Sequence, residues 1–310
     1  MKILVVGAGV TGCFTATRLQ DKGAEVTLLA RGAKADRLER DGLRLRDGMT
    51  GEERTARLSI VRAPVAEEPE VAMVCAQDLH RPSLDGLLGQ LPGRPIIWYL
   101  GNTTNGFDRA GEVLGRDRVL GGFPGVGGTW EDDVLVFADR EKPADMPLDR
   151  LIVGEAFDVG ASAAKRVERE IGALGMNVER YVPTMAWHWS HLAFVIPLAG
   201  AANVYDCDTA RVAADRALLK CTMRCASAAF RVVERAGFPI LPRSLRMMKY
   251  IPAWLGARRI GQLFNSDFGR IAIAGHAKSA REEMHAIAQD FLALAGDSVG
   301  PELSELLGAI

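Results

Sequence analysis

Apolar residues recur in short runs along the first 180 positions. Met1–Val6, Glu25–Ala30, Val71–Ala76 and Pro95–Leu100 each hold a stretch of strand length that is rich in Val, Ile and Leu. Runs of this kind suit strands buried on both faces. Helical patterns separate them, at Cys13–Leu19, Ala33–Asp41 and Ser83–Leu91. Alternation of strand and helix predicts a parallel sheet flanked by helices. Gly42–Arg46 and Ala56–Val61 alternate apolar and polar, as exposed strands do. The glycine-rich Val119–Gly128 leads to Val134–Phe137 and Arg150–Gly154, expected as strands of an antiparallel extension. Ala161–Leu174 reads as an amphipathic helix closed by Gly175.

The pattern changes near Tyr181–Pro183. From Met185 onward helix formers dominate. The expected helices are Met185–Val204, broken by Pro197; Asp208–Ala236, stopped by Gly237; Arg243–Gly261, interrupted by Pro252; and Ala280–Ala295. Pro239–Pro242 is a turn. The fold class is therefore α/β. A parallel-sheet domain over residues 1–180 precedes an all-helical domain over residues 181–310, with the site expected in the cleft between them.

Composition narrows the function. The 310 residues carry 38 Lys and Arg against 39 Asp and Glu, a net charge of −1. No broad pull toward nucleic acid or membrane is expected. No apolar stretch reaches the ~18 residues that span a bilayer, and the N-terminus enters a strand with no signal peptide. Five cysteines (Cys13, Cys75, Cys207, Cys221 and Cys225) form no disulfide framework, which fits a reducing cytoplasm. Cys221 and Cys225 lie four apart on an expected helix with no further metal ligands nearby, the pattern of buried thiols.

The chemistry starts at the first turn. Gly7-Ala8-Gly9-Val10-Thr11-Gly12 follows the first strand and opens the first helix. In a Rossmann-type unit, Gly7 permits the tight turn. Gly9 lets backbone approach a pyrophosphate, and Gly12 lets helix and strand pack closely. The helix N-terminus then faces the phosphates with free N–H groups. The second strand ends in Ala30-Arg31, with Lys34 and Arg37 behind, where an NAD site would place a carboxylate. A guanidinium there suits a 2′-phosphate, so NADP(H) is the expected cofactor.

These residues resemble the ketopantoate reductase family. The resemblance rests on Gly7–Gly12, Ala30-Arg31-Gly32, Gly42–Leu45, the run Val71–Ala76, Asn102 followed by Gly115, and the helix around Trp187–Pro197. It implies a soluble reductase with a helical domain for substrate and dimerisation, acting on a small carbonyl substrate as a homodimer. It also implies that Asn102 hydrogen-bonds the nicotinamide ribose and the substrate. The substrate carboxylate would be met in the segment holding Asn265, Ser266 and His276. The departures matter as much. The family's proton-donating lysine, in a W-x-K-L pattern, is matched here by Trp189-Ser190-His191-Leu192, so His191 stands at the lysine's place. Val195 stands at an Asn position, and Gln77 replaces a lysine after the Val71–Ala76 run. Ser266…Arg270 has no glutamate in register. Ketopantoate itself is therefore expected to be a poor substrate.

His191 is the expected proton donor, because imidazole titrates near working pH. Spacing alone leaves it equally a core histidine. His188 lies three residues earlier on the same helix face, and no third ligand accompanies the pair, so no metal is expected. Trp187 and Trp189 read as core or pocket wall. His276, after Gly275 in an expected turn, reads equally as an exposed loop histidine. Glu282 and Glu283 open the last helix, where acidic residues favour the dipole. Arg258-Arg259 meets either an anionic substrate or solvent. The leading reading is an NADPH-dependent reductase of a 2-keto acid or related carbonyl. A non-catalytic NADP(H)-binding redox sensor and an opine-type dehydrogenase are the alternatives.

Overall fold

The computed structural model describes residues 1–63, 68–138 and 150–310. They fall into two compact units, Met1–Val126 with Trp130–Thr184, and Met185–Ile310 with Gly127–Thr129.

The first unit is built on a sheet of eight strands. In chain order they are β1 (Lys2–Val6), β2 (Glu25–Leu29), β5 (Ser59–Val61), β6 (Val71–Val74), β7 (Ile96–Leu100), β8 (Val119–Phe123), β11 (Arg150–Glu155) and β12 (Asn177–Arg180). Their spatial order is β12-β11-β8-β7-β6-β1-β2-β5. Parallel pairing runs from β5 to β8, and β11 then joins β8 antiparallel. The chain leaves β1 toward β2 and β5, then returns to lay β6 on the other side of β1. Ligands bind at such a switch point, outside the carboxyl ends of the strands. Strands β1, β6 and β7 are almost wholly buried, which explains their unbroken apolar runs. Helices α1 (Val10–Asp21), α2 (Gly32–Asp41), α3 (Arg81–Leu88), α4 (Asp108–Leu114) and α5 (Ala161–Ala173) connect them.

A second sheet has the order β4-β3-β10-β9, from β3 (Leu43–Asp47), β4 (Glu53–Ala56), β9 (Gly127–Glu131) and β10 (Val134–Ala138). Two expectations are corrected here. Ala56–Val61 is not one strand: Ala56 ends β4 in the second sheet, whereas Ser59 opens β5 in the first. Val134–Phe137 does not extend the main sheet; it pairs parallel with β3. Both stretches carry the right period, but period does not name the partner strand. Leu43, Leu45, Ala56 and Leu135 join the apolar core beneath the main sheet.

The second unit is helical: α6 (Thr184–Val204), α7 (Thr209–Ala214), α8 (Arg216–Arg235), a 3-10 helix at Arg243–Tyr250, α9 (Ala253–Phe264), a π turn at Gly269–Ala274, α10 (Gly275–Ser279), α11 (Arg281–Ala295) and α12 (Pro301–Leu307). Pro197 does not break α6. Leu192, Ala193, Ile196, Ala199 and Ala202 are buried around it. That packing offsets the ~3 kcal/mol a helix-interior proline costs. The expected single helix Asp208–Ala236 is two, because Asp215 leaves helical geometry. Its carboxylate accepts hydrogen bonds from the backbone N–H groups of Ala217 and Leu218, capping α8. Asp208 caps α7 in the same way.

Candidate functional site

The glycine loop has the geometry expected of it, and each glycine has its own reason. Gly7 has φ +108, and a Cβ there would lie 2.7 Å from the carbonyl oxygen of Cys75 at the end of β6. A Cβ on Gly12 would lie 1.8 Å from the Gly7 carbonyl oxygen, so α1 packs on its own loop without space for a methyl group. Gly9 is different. A Cβ there would meet nothing within 4 Å, and Gly9 caps α1 with no side-chain hydrogen bond. The open space and uncapped helix N-terminus fit a dinucleotide pyrophosphate. Ala8, Val10 and Thr11 complete the loop, and the Cys13 thiol, buried and pushed up to about 11, donates to the Ala8 carbonyl.

Arg31 lies just beyond β2, exposed, as the N-cap residue of α2. One turn on, the Lys34 ammonium lies 3.9 Å from the centre of the Trp130 ring, and burial holds its pKa below the usual lysine range. Arg37 is paired with Asp133. Of the three cations noted in the sequence, Arg31 and Lys34 remain for an anion. Lys34, Arg37 and Trp130 line an open groove with Ala33, Asp36, Arg40 and Asp132.

Asn102 follows β7 at the same carboxyl edge. It is 5% exposed, and its side-chain Oδ1 is buried without a hydrogen-bond partner. Such an oxygen costs about 1–3 kcal/mol until a donor reaches it. A brace absent from the sequence reading holds its loop. The Asp78 carboxylate, directly after Gln77, accepts from Thr103 Oγ1 (3.0 Å), Thr104 N (3.2 Å) and Asn105 Nδ2 (3.1 Å). Arg81 pairs with Asp78 at 3.0 Å and donates to the Asn102 carbonyl oxygen at 3.3 Å. Its guanidinium lies 5.0 Å from the centre of the Tyr99 ring, and the Tyr99 hydroxyl donates to Asp85 at 2.7 Å. Loop 102–105 is therefore fixed to the end of β6. The glycine loop, Gln77 and Asn102 form one strip along the sheet edge.

In the helical unit, His191 stacks on Trp187, ring centres 4.9 Å apart and planes at 10°. Burial lowers its pKa to about 4, and His276 adds to the effect. The unit thus brings His191 and His276 together. His276 is corrected from a turn residue to a helical one, in α10, partly buried, with its pKa lowered by burial. His188 is 1% exposed and meets Trp187 edge-on, whereas Trp189 packs against Phe238 and Phe291 in the core. Ser266 serves the fold: its hydroxyl donates to the Leu263 carbonyl and accepts from Gly269 N–H at the π turn. Asn265 is exposed at the end of α9. Glu283, set aside in the sequence as a dipole residue, is 6% exposed in the first turn of α11.

Residues 3–144 match the ketopantoate reductase PanE/ApbA family. No curated protein matches the chain in sequence. Among solved structures, 2-dehydropantoate 2-reductase from Geobacter metallireducens GS-15 superposes with a TM-score of 0.76 at 16% identity, over 100% of this chain and 98% of that one. The 2-dehydropantoate 2-reductase from Porphyromonas gingivalis W83 gives 0.63 at 15%, over 99% and 97%. D-mandelate dehydrogenase with NADH and anilino(oxo)acetate gives 0.66 at 14%, over 96% and 100%. Helix α6 and everything after it, which lie outside the matched residues, share this fold at an identity too low to carry function. Residues 3–144 match the ketopantoate reductase PanE/ApbA family, and the chain as a whole has the fold of the 2-dehydropantoate 2-reductases it superposes on.

Proposed function

We propose that the protein is an NADP(H)-dependent reductase of a small 2-keto acid or related carbonyl, distinct from ketopantoate. The observation that carries this reading is the sheet edge, where open backbone at Gly9 stands in one strip with the buried, unpartnered Oδ1 of Asn102. The dinucleotide, when bound, supplies or accepts the hydride. Gly7–Gly12 and the N-terminus of α1 hold its phosphates, and Arg31 with Lys34 receives a 2′-phosphate. Asn102 Oδ1 accepts a hydrogen bond from a ribose or substrate hydroxyl. Gln77, at the family's lysine position, offers a neutral amide to the same strip.

His191 handles the proton. At neutral pH it is uncharged, because its folded pKa is about 4. A keto acid's carboxylate, and the charge that builds on the carbonyl oxygen during reduction, both raise that pKa. The imidazolium then gives its proton to the oxygen as hydride arrives. His276, close enough to influence His191, is the partner that meets the carboxylate. In the reverse direction neutral His191 is already a base.

D-mandelate dehydrogenase shares the fold, and its structure holds NADH and anilino(oxo)acetate. A bulky 2-oxo acid therefore belongs in any substrate panel. The test follows NADPH oxidation across small 2-keto acids, ketopantoate included, with NADH in parallel. Turnover of at least one keto acid with NADPH is expected, with ketopantoate poor. If no carbonyl is turned over while NADPH binds, the protein is a dinucleotide sensor. If turnover needs an added amine, it is an opine-type dehydrogenase.

A further inference from the structure

Net charge near zero conceals a strong local surplus. Residues 216–266 carry ten Lys and Arg and a single acidic residue, Glu234. The same stretch holds a concentration of exposed apolar side chains. Of nine large hydrophobic residues exposed among the described residues, Met247, Tyr250, Trp254 and Leu255 lie within nine positions of one another. Tyr250 is 71% and Trp254 65% exposed.

Helix geometry sorts these residues into rows. In a 3-10 helix, side chains at i and i+3 eclipse. Over Arg243–Tyr250 this gives three ridges. Leu245 and Met248 turn inward against the core, with Ile251 after them. Arg243, Arg246 and Lys249 form a cationic ridge. Met247 and Tyr250 form an apolar one facing solvent. Ser227 Oγ and Arg231 both donate to the Lys249 carbonyl, fixing the segment to α8. Helix α9 repeats the arrangement: Trp254 and Leu255 are exposed in its first turn, and Arg258 and Arg259 lie four residues on, beside them. Lys249 is paired with Glu234, whereas Arg243, Arg246, Arg258 and Arg259 are exposed with no acidic partner among the described residues.

We propose that this face docks on an anionic lipid surface. Exposed Trp and Tyr with exposed cations beside them on both elements match the layering of a bilayer interface, where aromatic rings sit at headgroup level and guanidinium groups meet phosphates. A second copy of the chain fits poorly. A two-fold contact would set the same unpaired arginines against each other. The inference does not depend on the reductase reading.

The test is flotation of the full chain with phosphatidylcholine vesicles and with vesicles containing phosphatidylserine, at physiological salt, with quenching of tryptophan by brominated lipid as a second readout. Trp98, Trp187 and Trp189 are buried and Trp130 is half-buried under Lys34, so the quenching that Trp254→Ala removes is the part that reports Trp254. Binding to the serine-containing vesicles is expected, weakening with salt. Each cation removed should cost about fivefold, so Arg258→Ser with Arg259→Ser should weaken binding roughly 30-fold. Trp254→Ala, checked for fold by circular dichroism, should weaken binding and abolish quenching. No binding to the anionic vesicles, equal binding to both compositions, or binding untouched by Trp254→Ala would overturn the proposal. So would a dimer in analytical ultracentrifugation that Trp254→Ala dissociates, because the face would then belong to a second copy.

Discussion

The sheet edge of the first unit and the histidines of the second are two kinds of candidate site. At the sheet edge the work falls to backbone: two glycines that tolerate no Cβ, one that faces open space, and a loop held by a buried ion pair. In the helical unit it falls to side chains whose chemistry is set by burial. The contrast bears on the proposal that His191 takes the place of a family lysine. A lysine keeps its charge unless it is deeply desolvated, whereas an imidazole stacked on Trp187 with its pKa near 4 is neutral at neutral pH and would gain its charge only beside an anion. The family domain match spans the backbone-built part and ends before α6. Backbone sites demand particular residues at fixed spacing, whereas a site built from buried side chains allows more exchange.

The largest effect tests the second site. His191→Ala should lower turnover by about 10²–10⁴-fold, the range for general acid catalysis, and leave NADPH affinity nearly unchanged. His188→Ala should be milder in turnover. The pH dependence carries a sign. The imidazole takes up its proton near 6.5 when unfolded but resists until about 4 when folded. Protonation thus favours the unfolded state, and stability should fall as pH drops from about 6.5 toward 4. His191→Ala should flatten that slope in thermal melts. For reduction, kcat/KM should fall as pH rises above the free-enzyme pKa near 4. The limb in kcat should lie at higher pH, because bound anion raises that pKa. Full activity in folded His191→Ala protein would make the residue a core histidine.

Next is the brace under Asn102. Removing one partner of a buried pair costs about 3–5 kcal/mol. Asp78→Ala removes the carboxylate partner of Arg81 and frees three donors of loop 103–105, so a fall in stability of that order is expected by denaturant unfolding. Where the variant stays folded at low temperature, its KM and kcat should both worsen while the binding of ADP, which lacks the nicotinamide half, stays intact. Loss of ADP binding as well would mean that the brace supports the whole edge rather than loop 102–105.

Legibility follows the same division. The glycine loop, β1, β2, β6 and β7 were readable because buried parallel strands and tight turns each permit few residues. The second sheet was not, since Ala56 and Ser59 carry the same alternation on strands that pair with different partners. Helix α6 runs through Pro197 because burial outweighs local preference. Asp215 divides the expected long helix, and its carboxylate, pointing back at the Ala217 and Leu218 N–H groups, was a readable cap. Of the candidate site, Asn102 and His191 were singled out by their positions in a family pattern. The Asp78–Arg81 brace did not, because it joins loops after two different strands, and only the fold brings them together.

The glycines give a sharper comparison within the first site. Gly12→Ala should cost about 3 kcal/mol, the upper end of overpacking, because the new methyl group meets backbone that cannot move aside. Gly9→Ala should leave the melting temperature nearly unchanged and yet abolish measurable NADPH binding, since its methyl group would fill space meant for phosphate. If both variants behave alike, Gly9 serves packing, and the open cradle is not a cofactor site.

The smallest effect concerns which dinucleotide is held. Arg31 is exposed at the cap of α2, and Lys34 rests on Trp130 one turn later, where an NAD site would carry a carboxylate. Hydrogen bonds to a charged group contribute about 1.5–3 kcal/mol, so Arg31→Ala should weaken NADPH by roughly 10- to 150-fold and leave NADH almost untouched. Isothermal titration of both cofactors against both proteins measures the gap directly. Lys34→Ala adds a second step: it should weaken NADPH further, because its ammonium already has the aromatic face of Trp130 to fix it and loses little freedom on meeting phosphate. Equal or tighter binding of NADH by the unmodified protein would remove the 2′-phosphate from the argument. The site would then resemble in its cofactor, as well as in its fold, the D-mandelate dehydrogenase whose structure holds NADH.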